Sequence, residues 1–132
     1  MEQIYLDRLT KLADHLMNSK ELGVDRFDFA VIYDEVSCGT VGCALGTLPY
    51  LCPDEWERVE FSAHLRIGSN DDAFEDATKW FDISYSEAEH LFSPFSQNTT
   101  TYGGENLNYY ATQQQVAQNM YCFIEHKKGE VS

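Results

Sequence analysis

Tyr5-Leu6-Asp7-Arg8-Leu9-Thr10-Lys11-Leu12-Ala13-Asp14-His15-Leu16-Met17 is the stretch that decides the fold class. Tyr5, Leu9, Leu12 and Leu16 recur at spacings of four, three and four, and Ala13 and Met17 widen the stripe. Apolar residues at that period share one face of an α-helix and must bury it against a partner. Arg8, Lys11, Asp14 and His15 take much of the other face, and Gly23 is read as the stop.

The same logic carries to the other end of the chain. Thr112 and Gln115 have the spacing of a capping box, and Val116, Met120, Phe123 and Ile124 follow as a helical stripe ending at Lys127 and Lys128. Between these two helices, Ala73, Ala77, Trp80 and Phe81 mark another helix. Ser84 with Glu87, or Ser86 with Glu89, caps a short one through His90, Leu91 and Phe92, stopped by Pro94. Pro53 before Asp54 and Glu55 reads as a further helix start, and Gly68-Ser69-Asn70-Asp71 as a turn. The segment Ser37–Gly46 reads as a helix entry capped by Ser37 or Thr40. Its small residues at 39, 42, 44 and 46 would allow close packing, although each interior glycine costs up to about 1 kcal/mol relative to alanine.

Two stretches resist a helical reading. In residues 25–36, Phe27, Phe29, Val31 and Tyr33 alternate as in a strand, with a short helical turn after Asp25 or Asp28 equally open. Residues 59–68 mix strand-like and irregular character. The expected fold is mainly α: a small helical bundle of about five helices, with a short β-hairpin or irregular strands near 27–36 and 59–67. With 132 residues and 43% apolar content, the chain suits one domain spanning 1–132 with its own core. Residues 93–111 form the longest expected loop, nearly uncharged, with Glu105 the only formal charge between His90 and Phe123.

Charge narrows the function classes. The chain has 22 acidic against 9 basic residues, a net charge of −13 and a pI near 4.4. Direct nucleic-acid binding and attachment to an anionic membrane surface are disfavoured, because both depend on Lys and Arg. No apolar run reaches the roughly 20 residues of a membrane span. The opening residues lack a signal-peptide pattern, so the expected location is cytoplasmic. Much of the acid lies in residues 54–89, with Asp54, Glu55, Glu57, Glu60, Asp71, Asp72, Glu75 and Asp76 as the candidate binding carboxylates. Such a field steers toward a basic protein partner. Tyr102, Tyr109 and Tyr110 in the uncharged loop are the candidate aromatic contacts.

Cys38-Gly39-Thr40-Val41-Gly42-Cys43-Ala44-Leu45-Gly46 is the most distinctive motif. With Phe27-Asp28-Phe29, Trp80-Phe81-Asp82-Ile83 and Ser84–Phe92, it resembles a group of short, uncharacterised helical proteins of bacteriophages and bacteria. These carry a Cys-Gly-Thr-x-x-Cys-x-x-Gly motif. The resemblance implies a phage or mobile-element source and a helical fold, and it transfers no functional residue. Gly42, where a bulkier residue or alanine is the rule, and the long uncharged loop depart from the pattern.

The expected function is therefore that of an acidic, non-enzymatic binding or inhibitor protein of a phage or mobile element. It would occlude a basic surface of a host protein, such as a nucleic-acid channel. The alternatives are a small cysteine hydrolase, with Cys38 as nucleophile and His64 or His90 as base, and a small-ligand sequestering protein. Cys38, Cys43, Cys52 and Cys122 lack a tight zinc-ligand spacing, so no metal or other cofactor is expected, and the thiols read as packing residues.

Overall fold

A computed structural model describes residues 1–20, 26–27, 33–36, 39–94, 97–108 and 110–130. The amphipathic stripe at the start of the chain forms α1 (Gln3–Asn18) and buries Leu6, Leu9, Leu12, Ala13 and Leu16. Its main partner is the closing helix α6 (Gln113–Glu130), which buries Val116, Ala117, Met120, Phe123 and Ile124. Each leucine-sized side chain taken fully out of water contributes about 1.5–3 kcal/mol, so this seam is the main apolar joint. Two residues assigned to the polar face of α1 turn inward. His15 is buried and stacks on Tyr50, with 5.9 Å between ring centroids. Arg8 lies 3.7 Å over the Trp80 ring and donates to the Trp80 carbonyl at 2.8 Å. The helix ends five residues before Gly23, with Ser19 extended, and Gly23 itself lies outside the described residues.

Within the glycine-rich motif, Gly39–Gly42 is a strand rather than part of the expected helix, and Ser37 and Cys38 lie outside the described residues. β1 (Arg26–Phe27), β2 (Tyr33–Val36) and β3 (Gly39–Gly42) form a sheet ordered β1-β3-β2, in which β3 is parallel to β1 and antiparallel to β2. Glycines weaken a helix interior, whereas here Gly39 and Gly42 sit opposite Val36 and Tyr33 in the β2 ladder. A 3₁₀ turn (Leu45–Thr47) leads directly into α2 (Leu48–Leu51), where Pro49 takes an early helical position.

The helix start read at Pro53 is also corrected. Pro53 lies in a turn, and β4 (Trp56–Val59) pairs antiparallel with β5 (Ser62–Leu65). The hairpin joins through Glu60 and Phe61, with Glu60 at φ 53°. After the turn at Gly68, which has φ 78°, Asp72 caps α3 (Ala73–Phe81) by accepting from the amides of Phe74 and Glu75. Ser84 and Glu87 form the capping box of α4 (Tyr85–Phe92), and Thr112 and Gln115 make the reciprocal bonds that open α6.

The described fold is thus mainly helical, with six α-helices among the described residues and short strands beside them. One of them, α5 (Thr99–Tyr102), capped by Asn98, interrupts the expected loop. The segment around it is pinned largely through amides. The Asn98 amide donates to His90 Nδ1 at 2.7 Å, Leu107 N donates to Gln97 Oε1, and Asn119 bonds both the amide and the carbonyl of Glu105.

Candidate functional site

The hairpin, the turn after it and α3 carry most of the candidate carboxylates, and β5 packs on α3. Asp54, Glu55, Glu60, Asp71 and Glu75 are exposed, as are Arg58, Arg66 and Lys79. Glu57 is ion-paired to Arg66 at 3.0 Å, and Arg66 Nε also donates to the Pro53 carbonyl at 2.8 Å. Lys79 donates to the Gly68 carbonyl at 2.6 Å and to Asn70 Oδ1 at 3.1 Å. Asp72 is half-buried and committed to the α3 cap. Two apolar side chains of the same segments are exposed as well, Ile67 at 91% and Phe61 at 68%.

Asp76 does not belong to this surface. It is 0% exposed and accepts from Leu65 N (3.0 Å), Ser69 Oγ (2.7 Å) and Asn70 N (2.9 Å). His64 Nδ1 lies 3.4 Å from the same carboxylate. Burial would raise the Asp76 pKa, but the hydrogen bonds from Asn70, Ser69 and Leu65, with His64 nearby, outweigh it and hold the carboxyl below its ordinary value. Its position on α3 among acids suggested another solvated charge. In fact it ties α3 to β5 and to the turn, and no local sequence signal separates it from the neighbouring acids.

Ser69, His64 and Asp76 together do not form a catalytic relay. The serine hydroxyl donates to the carboxylate, and Ser69 Oγ accepts from the Asp71 amide. A nucleophilic serine would instead need the imidazole as its base. Cys38, the candidate nucleophile for which His64 was considered, lies outside the described residues, as does Tyr109. Cys43 and Cys52 are buried and Cys122 is half-buried; burial pushes the Cys52 thiol up, away from the reactive thiolate. Among the described residues no group of three or more His, Cys, Asp or Glu side chains is placed to hold a metal ion.

The tyrosines divide. Tyr110 is 87% exposed. Tyr102 is half-buried against His90, Phe123 and His126, and its hydroxyl bonds Glu87 at 3.2 Å. Glu87 also holds Lys127 at 2.6 Å. Burial opposes its charge, yet Lys127, the Ser84 amide and Tyr102 bring its pKa down. His90 is buried in the same cluster with Nε2 unpartnered, and desolvation lowers its pKa. This group links α4, α5 and α6, a joint rather than an open site.

No helix among the described residues is long and apolar enough to cross a membrane. No protein-family model, curated protein or solved structure matches the chain.

Proposed function

We propose that the chain is an acidic, non-enzymatic binding protein that docks on and occludes a basic surface of another protein, using the face built by the β4–β5 hairpin, the following turn and α3. One observation carries this reading. Asp54, Glu55, Glu60, Asp71 and Glu75 are exposed with no ion-pair partner among the described residues, and Asp54 and Glu55 line a groove together with the exposed Ile67. Exposed carboxylates speed encounter with a cationic partner, and exposed apolar groups supply the area that holds it. The net charge of −13 acts in the same direction. A nucleic-acid-binding channel of a host protein has the matching chemistry.

The test is capture from bacterial lysate on the immobilised chain, compared with a variant carrying Glu60→Gln, Asp71→Asn and Glu75→Gln. A partner of high pI that is retained at low salt, released at about 0.5 M salt where screening is nearly complete, and lost by the variant is the expected outcome. Capture that ignores both salt and the substitutions would overturn the reading.

A further inference from the structure

Between the base of the hairpin and the C-terminal half of α3 lies a groove of about 350 Å³, and Asp54, Glu55, Leu65, Ile67 and Trp80 are among its lining residues. Leu65 is buried beneath it, Trp80 is half-buried, and Ile67 stands almost wholly in solvent. An isoleucine held out in water beside a tryptophan leaves apolar area that a visiting side chain can cover. The two acids on the same groove are exposed and have no ion-pair partner among the described residues.

The two cations on this groove are already engaged. Arg66 is spoken for by Glu57 and by the Pro53 carbonyl. Lys79 is held by the Gly68 carbonyl and Asn70; these dipoles orient its charge without cancelling it. A visiting cation therefore belongs on the Asp54–Glu55 side, away from Lys79, with its stem against Ile67 and Trp80.

We propose that this groove takes an arginine side chain from the basic partner, its guanidinium on Asp54 and Glu55 and its alkyl stem on Ile67 and Trp80. The inference rests on the function proposed above and locates its central contact. Arginine fits better than lysine because its guanidinium is more weakly hydrated and forks between carboxylate oxygens. Arg8 already stacks on the Trp80 ring and bonds the Trp80 carbonyl, so the visiting stem meets only the part of the indole that remains exposed.

The probe is a capped Gly-Arg-Gly-Arg-Gly peptide, with its lysine analogue, titrated into the ¹⁵N-labelled protein at low salt. The expected result is a shift of the Trp80 indole and Ile67 amide signals, with a smaller change at the buried Trp56, and tighter binding of the arginine peptide. Asp54→Asn and Glu55→Gln should each weaken binding by up to about fivefold, the scale of one exposed ion pair. Lys79→Gln should strengthen it, and a thermal melt of each variant verifies that the fold is kept. Peptide shifts confined to carboxylates outside the groove would overturn this inference and leave the acidic-surface reading standing. Absence of binding by either peptide at low salt would sink both.

Discussion

The α1–α6 seam and the α3–β5 joint hold the same small protein together by opposite means. The seam is apolar: Leu9, Leu12 and Leu16 face a core that includes Val116, Met120 and Phe123, all fully buried. Its cohesion is non-directional and hardly depends on salt. The joint turns on one carboxylate, Asp76, which satisfies the amides of Leu65 and Asn70 and the hydroxyl of Ser69. Directional bonds to a buried charge specify one geometry, and they fail together when the charge is removed. The exposed carboxylates and the groove are built on that second joint, so the proposed binding face depends on the more brittle of the two.

The sharpest way to break the comparison is Asp76→Ala. Losing the buried acceptor strands its donors, and the expected cost is about 4 kcal/mol, read as a drop in the denaturation midpoint. The Ile67 and Trp80 signals should be disturbed before those of α1 and α6. A loss under about 1 kcal/mol would show that the carboxylate is incidental to the joint.

Leu12→Ala attacks the seam instead. A fully buried leucine cut to alanine costs about 3 kcal/mol, and here the hairpin and groove signals should persist until global unfolding. Equal disturbance of both regions would erase the distinction drawn between them.

A smaller effect is expected from Ser84→Ala, which removes the hydroxyl that accepts from the Glu87 amide. Loss of the cap should cost about 1 kcal/mol, measured by denaturant titration, and should leave peptide binding in the groove unchanged.

The gentlest perturbation is pH. His15 and His90 have lowered pKa values, principally through desolvation. Unfolding restores their ordinary affinity for protons, so stability should start to fall as pH drops below about 6.5, the unfolded value for imidazole. Asp76 and Glu87 are shifted down as carboxylates. Their contribution is present above the ordinary carboxylate range and is lost only as pH falls through their lower folded values. A two-step acid limb is expected, the first step belonging to the helical frame. A profile flat down to pH of about 5 would contradict the buried neutral imidazoles.

The helices were legible because their signals are local. The stripe of α1, the Ser84–Glu87 box and the Thr112–Gln115 box each need only residues within one or two turns. Gly39–Gly42 and Trp56–Val59 were misread because a strand is stabilised by its neighbours. Nothing within Gly39-Thr40-Val41-Gly42 announces pairing to both Arg26–Phe27 and Tyr33–Val36. Pro53 likewise gives the same signal in a turn as at a helix start. The candidate acids were visible as composition, but which of them face water was not.

By itself, then, the amino-acid order determined that the chain is mainly helical, where α4 and α6 begin and that it carries a large excess of negative charge. All of these follow from short-range periodicity and from counting. Only the tertiary structure separated Asp76, buried as a bracket between α3 and β5, from the exposed Asp54 and Glu55 beside Ile67 and Trp80. Identical carboxyl groups acquire opposite roles from the solvent and donors around them, and those surroundings are assembled from segments distant along the chain.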